Sequence, residues 1–211
     1  MSDGGLSNRS PGTTQARRAH DFDATYLAGR APWDIGRPQS AFRELADRGR
    51  LVGRVLDVGC GTGEHALMAA ALGLDATGVD AADTAITIAR RKASERDLGA
   101  RFITWDALEL AALGESFDTV VDCGLFHVFE DLERPRFVDA LRASTPAGAW
   151  YYMLCFSDRE PGDWGPRRIQ QDEIRASFGD GWHVATIEPA QLETTIEPES
   201  AHAWLASIQR V

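Results

Sequence analysis

Short apolar runs alternate with amphipathic stretches through the middle of this chain, and that rhythm predicts its architecture. Arg54-Val-Leu-Asp-Val58 reads as a strand, and Glu64 to Leu72 as an alanine- and leucine-rich helix stopped by Gly73. Asp75 to Asp80 is a second strand, and Asp83 caps a helix running to about Arg96. Ala100 to Trp105 and Phe117 to Asp122 follow as strands, Arg134 to Ala143 as a helix, and Gly148 to Phe156 as a fifth strand. Apolar strands separated by helices predict βαβ units and a mainly parallel sheet. After Pro161 the rhythm changes to a Pro/Gly/Trp loop and a short helix from Asp172 to Phe178. Two strand-like runs, His183 to Glu188 and Ala203 to Arg210, then form a terminal hairpin.

The pattern is weaker ahead of the first strand. Residues 1–18 are rich in Ser, Gly, Thr, Asn and Arg and read as an unstructured tail. Asp21 to Gly29 reads as a short helix, Ala31 to Gln39 as a loop punctuated by Pro and Gly, and Ser40 to Gly49 as a helix with Phe42, Leu45 and Ala46 on one face. Residues 21–39 carry Tyr26, Trp33, Ile35 and Arg37 among helix breakers and are too few to form a core. They are therefore expected to pack on the sheet as a lid, giving a single domain over residues 19–211.

Composition adds exclusions. With 44% hydrophobic and 26% charged residues in 211, the chain is of ordinary globular make-up. Thirty-two acids against 22 bases give a net charge of −10, which argues against a nucleic-acid surface. No apolar run has a membrane span's length and the first twenty residues lack an apolar signal core, so a cytoplasmic protein without membrane contact is expected. Three well-separated cysteines and five histidines without ligand spacing predict neither disulfides nor a metal site.

The chemistry gathers at Val55-Leu-Asp-Val-Gly-Cys-Gly-Thr-Gly-Glu-His65. Glycines 59, 61 and 63 lie between a strand and a helix, where a backbone without Cβ can approach a ligand. The spacing G-x-G-x-G is one residue short of the dinucleotide fingerprint G-x-G-x-x-G. Asp57, two positions earlier, suits a ligand bearing an amino group or positive charge. Asp80 ends the second strand, where a carboxylate reaches a ribose, and Asp106 follows the third, where it can accept from an exocyclic amine.

These residues, with Phe117-Asp-Thr-Val-Val-Asp122, resemble the ordered motifs of the class I S-adenosylmethionine-dependent methyltransferases. The resemblance implies a Rossmann-like, seven-stranded α/β/α sandwich with a reversed last strand, and S-adenosylmethionine as cofactor. It further implies that Gly59, Cys60, Gly61 and Gly63 pass the methionine part, with Trp33 over it. Asp80 and Ala81 would meet the ribose, Asp106 and Ala107 the adenine, and the backbone near Cys123 the amino-acid end. Trp33-Asp-Ile-Gly-Arg-Pro-Gln39 resembles the N-terminal cap of small-molecule members, such as thiopurine-type and heterocyclic-toxin methyltransferases.

The acceptor is expected to be small, aromatic or heterocyclic, and methylated on O, N or S. Phe126, Phe129, Phe156 and Trp164 supply aromatic walls, and Arg37 reaches a carboxylate. His127 has the intrinsic pKa of a base, and Asp34 or Asp158 can orient a substrate. The absence of Asn-Pro-Pro-Tyr after the fourth strand disfavours DNA as acceptor. A monomer or homodimer is expected. Two alternatives stand beside this reading, a non-catalytic cofactor-binding regulator and an NAD(P)-dependent oxidoreductase.

Overall fold

The computed structural model describes residues 11–211, with side chains from residue 19 onward. Its helices are α1 (Pro11–Leu27), α2 (Ser40–Asp47), α3 (Glu64–Ala71), α4 (Asp83–Glu95), α5 (Arg134–Ser144) and α6 (Gln171–Ser177). Its strands are β1 (Arg54–Val58), β2 (Asp75–Asp80), β3 (Arg101–Thr104), β4 (Thr119–Cys123), β5 (Trp150–Phe156), β6 (Trp182–Glu193) and β7 (Ser200–Arg210). They form one sheet in the order β3-β2-β1-β4-β5-β7-β6. The first five run parallel, and β7 is antiparallel to both neighbours, so the expected sheet with a reversed last strand is observed.

Alternation along the strands builds the layers. Leu56 and Val58 of β1 pack with Phe137 and Leu141 of α5 and Ile174 of α6 on one face. Val55 points the other way, into Ala66 and Leu67 of α3 and Ile86 and Ala89 of α4. Phe42 and Leu45 of α2 complete that second layer against Tyr152 and Leu154. Strand order reverses between β1 and β4, and in such sheets the crevice outside the strands' carboxyl ends is where ligands bind.

Three departures from the sequence reading matter. Helix α1 begins at Pro11, inside the stretch read as tail, while residues 1–10 lie outside the described residues. A 3-10 stretch, Ala107–Leu113, follows β3 and is capped by Asp106, which accepts the Leu108 N–H at 2.8 Å. Strand β6 continues to Glu193, well past Glu188. As an edge strand with a bulge between Val184 and Thr186 and a proline at 189, it shows no clean two-residue period to read. Among the described residues no helix is long and apolar enough to cross a membrane.

Candidate active site

The turn after β1 is a knot of backbone bonds. Cys60 N–H donates to the Val79 carbonyl and Gly63 N–H to the Cys60 carbonyl, both at 2.9 Å. Asp80 fixes the turn from β2, one carboxylate oxygen accepting Gly61 N–H at 2.8 Å and the other Ala82 N–H at 2.9 Å. Burial pushes the Asp80 carboxyl up, and those backbone donors pull it back. With the Ala81 N–H also directed at it, the carboxylate still retains acceptor capacity.

Beneath the turn, Asp57 is buried and accepts Ala66 N–H with Oδ2 at 3.1 Å, capping α3. Its Oδ1 is buried with no hydrogen-bond partner among the described residues. Burial, together with the charges of Asp80 and Asp122, pushes Asp57 up to about 8. Asp122 itself accepts the N–H groups of Leu125 and Phe126 and the Tyr151 hydroxyl, which shapes the turn after β4.

A cavity of about 1130 Å³ opens over these strand ends. Gly59, Cys60, Gly61, Asp80, Ala81, Asp106, Ala107 and Cys123 line its floor, so the residues expected to meet the cofactor lie together. Phe129, Phe156 and Trp164 line another part, with His127. The volume exceeds the range usual for one drug-sized ligand and is large enough for two molecules side by side.

The segment after α1 is the roof. Trp33 Nε1 donates to the Tyr26 hydroxyl at 2.7 Å and its ring meets Phe22 and Tyr26 edge-on. Thr62 of the glycine turn donates to Asp34 Oδ1 at 2.9 Å while accepting from Lys92 Nζ at 2.7 Å, and Lys92 is also paired with Glu64. The strap is tied equally to the tip of the β6–β7 hairpin. Arg37 forks onto the Glu193 carboxylate at 2.9 and 3.1 Å, and Gln39 exchanges side-chain bonds with the Glu193 backbone at 2.8 and 3.0 Å. Thr195 N–H donates to the Pro32 carbonyl at 2.8 Å.

Several expected roles change. His127 accepts the Phe156 N–H on Nδ1 at 3.0 Å, and burial pushes its pKa down to about 3. The neutral ring then carries its proton on Nε2, which makes that atom a hydrogen-bond donor. Phe126 does not line the cavity; it packs on Phe178 in the core beneath the Arg134 guanidinium. Gly63 is likewise off the cavity, because a Cβ there would lie 2.6 Å from Phe102 and 2.9 Å from Ala89, making it a helix-packing glycine. Arg37 finds its carboxylate within the protein, in Glu193. Asp158 accepts from Trp204 Nε1 and stands outside the cavity. Asp57 supports the floor from below without lining it.

The sequence reading missed His65, Gln39, Leu192, Thr194 and Ile196, which also line the cavity. The last three belong to the hairpin tip, whose sequence carries no period that would have placed it there.

Comparison with known proteins accords with this geometry. Residues 55–148 match a family model described as a methyltransferase domain. The chain is 35% identical over 171 residues to a 2-heptyl-1-hydroxyquinolin-4(1H)-one methyltransferase of Mycobacteroides abscessus, covering 79% of this chain and 74% of that one. It is 28% identical to a probable thiol methyltransferase of Arabidopsis thaliana, covering 72% and 68%. A solved structure from work on the conversion of a disulfide bond into a thioacetal group during echinomycin biosynthesis shares 38% identity. It superposes with a TM-score of 0.82 over 91% of this chain and 92% of that one. The fold, with 21% identity and a TM-score of 0.63, is also that of a magnesium protoporphyrin IX methyltransferase from Synechocystis with bound S-adenosylmethionine; the match covers 100% of this chain and 87% of that one.

A reversed-last-strand sheet with acids at the ends of β2 and β3 around a glycine turn defines a class I methyltransferase. The chain belongs to the S-adenosylmethionine-dependent methyltransferases of small molecules, and the dinucleotide-oxidoreductase alternative falls. The donor set suits that cofactor. Asp80 and Asp106 offer acceptors to hydroxyls and an amine, the glycine turn offers close backbone approach, and beneath it the orphan Asp57 oxygen leaves an unused buried polar atom.

Proposed function

We propose that this enzyme methylates an O, N or S atom of a flat, apolar aromatic or heterocyclic molecule whose nucleophilic atom carries no proton at neutral pH, such as a thiolate or an acidic hydroxyl. The observation that carries this reading is His127, whose engaged Nδ1 and suppressed charge leave the aromatic part of the cavity with a hydrogen-bond donor where a base was expected. Asp34 is bonded to Thr62, Glu64 is held ionised by Arg96 and Lys92 against its burial, and Asp131 is held ionised by Arg167, so none of these three lining carboxylates is poised as a base. The named acceptor of the mycobacterial relative, an N-hydroxy quinolone, and the thiol of the plant relative are both of this chemical kind.

In this reading Asp80 holds the ribose, Asp106 and Ala107 the adenine, and Gly59 to Gly61 the methionine part. S-adenosylmethionine supplies a methyl carbon on a positively charged sulfur, which leaves as a neutral thioether. Phe129, Phe156 and Trp164 align the acceptor's flat face, and the His127 Nε2–H steadies the nucleophile or an oxygen beside it. The strap excludes water, which an in-line displacement between apolar walls requires. The test is mass-spectrometric detection of methylated products from a panel of acidic phenols, N-hydroxy heterocycles, aromatic thiols, and unactivated alcohols and amines. Turnover confined to the acidic and thiol members is expected; turnover confined to the unactivated ones would overturn the reading.

A further inference from the structure

His65 opens α3 and lines the cavity, yet its ring is committed on both sides. Nε2 accepts the backbone N–H of Gln39 at 3.2 Å, from the last residue of the strap. The ring is clamped edge-on against Phe42, with centroids 4.7 Å apart. An imidazole accepting on Nε2 bears its proton on Nδ1 when neutral, and Nδ1 lies 3.9 Å from Asp57 Oδ1, the orphan oxygen. That gap is too long for a hydrogen bond. A ring donor of His65 thus faces a buried oxygen across an incomplete contact beside the glycine turn.

We propose that His65 is a positioning residue that couples the cofactor site to the strap. A cation held over the glycine turn draws Asp57 into its carboxylate form, the Asp57 proton passing to solvent. Oδ1 then takes the Nδ1–H of His65, and the fixed ring presents Nε2 to the Gln39 N–H. The strap is seated by the charge of the molecule it covers. Gln39 extends the coupling, because its side chain grips the Glu193 backbone and so carries the hairpin tip with it.

The groups facing Asp57 are Asp80 of β2, Asp122 of β4 and the thiols of Cys60 and Cys123, and Glu64 adjoins His65. Burial keeps the thiols protonated and Glu64 is paired with Lys92 and Arg96, while Asp80 and Asp122 disfavour a further negative charge on Asp57, so a positive ligand is the natural trigger. Burial independently keeps the His65 ring neutral. The inference rests on S-adenosylmethionine lying over Gly59 to Gly61, and Asp80→Ala is the control for that.

Two variants split the histidine. In His65→Gln the side-chain oxygen can still accept from Gln39, but nothing donates to Asp57. In His65→Asn an amide N–H stands near the Nδ1 position, but nothing accepts from Gln39. Affinity for S-adenosylmethionine is measured by calorimetry, and hydrogen exchange is followed over residues 31–40 with and without it. The wild type should gain protection on binding. His65→Gln should keep the basal protection, lose the gain and bind three- to tenfold more weakly; His65→Asn should be unprotected in both states and bind similarly weakly. Wild-type affinity and a wild-type gain in either variant would overturn the proposal. So would equal loss of basal protection in both, which would mean His65 merely packs. If Asp80→Ala binds as the wild type does, the assumed cofactor position has failed instead.

Discussion

Donation and proton abstraction by His127 differ in their pH signatures. A base with an ordinary imidazole pKa would give kcat an acid limb between pH 6 and 7. With Nδ1 bonded to the Phe156 N–H and the pKa pushed down to about 3, His127 has no titration there, and kcat on an acidic acceptor should follow the acceptor's own ionisation. His127→Gln, which can keep an N–H near the Nε2 position, should retain most activity, whereas His127→Leu should lose roughly ten- to a hundredfold, the ~1.5–3 kcal/mol of one well-placed bond. An acid limb that disappears in His127→Leu would restore the base. Asp57 behaves differently. Its folded pKa of about 8 stands above the ordinary carboxyl value of 3.8, so the folded state keeps a proton that the unfolded chain has released. Stability from this group is present below about pH 4 and lost as pH rises to about 8. Asp57→Asn should therefore raise the melting temperature of the cofactor-free protein more at pH 8 than at pH 5, while weakening cofactor binding. A slope unchanged in thermal scans at the two pH values would place the titration elsewhere, Asp122 being the next group of the same sign.

Elements were legible in proportion to how much of their surface is buried. Strands β1, β2, β4 and β5 are buried along nearly their whole length and appeared in the sequence within a residue or two, whereas β3 was legible from its position in the alternation, with only Phe102 buried. The hairpin tip and the 3-10 stretch after β3 have no such period, because solvent or backbone caps decide their course. Glycines divide in the same way. Gly59, Gly61 and Gly63 look equivalent in sequence, yet a Cβ on Gly61 would sit 2.5 Å from the Tyr26 hydroxyl and one on Gly63 inside the Phe102 ring's contact distance. Gly61→Val should therefore unseat the strap, and Gly63→Val should loosen α3 from α4 and β3. The first should spare most of the melting temperature while costing cofactor affinity; the second should lower both. The strap's tie to the hairpin was also illegible, since Arg37 and Glu193 are far apart in sequence. Glu193 accepts from Arg37, from Ser40 N–H and from the Ser40 hydroxyl, so Glu193→Ala removes more than Arg37→Ala does. Exposed pairs of this kind stabilise by only ~0.2–1 kcal/mol. The expected effect of Glu193→Ala is a KM for S-adenosylmethionine raised severalfold with little change in melting temperature. Equal KM values in Glu193→Ala and wild type would show that the clamp is idle.

At the scale of the whole molecule, the catalytic roof and the stabilising core are separate bodies. The three large apolar clusters draw on α2 to α6 and all seven strands, and none includes a residue before Ala41. Among the described residues, α1 and the strap add one small apolar cluster, Tyr26 and Ala31 packed on Ala82 and Ala85, and the Asp23 carboxylate of α1 accepts the Thr84 N–H at the start of α4. Removing residues 1–38 therefore forfeits, among the described residues, that cap and small cluster together with the ties of Arg37 to Glu193, Asp34 to Thr62 and Pro32 to Thr195, on the order of 3–6 kcal/mol, and should leave a sheet domain that unfolds cooperatively. The same truncation removes the residues that close the cofactor site. A ligand at a hundred times its Kd stabilises the folded state by about 2.7 kcal/mol, which in a chain of this length is a shift of roughly 5–10 °C. The full-length protein should show that shift with S-adenosylmethionine, and the truncated one less than a third of it at the same concentration. Retention of the full shift would mean that the strap is no part of the cofactor site. Loss of cooperative unfolding would mean that α1 and the strap belong to the core after all.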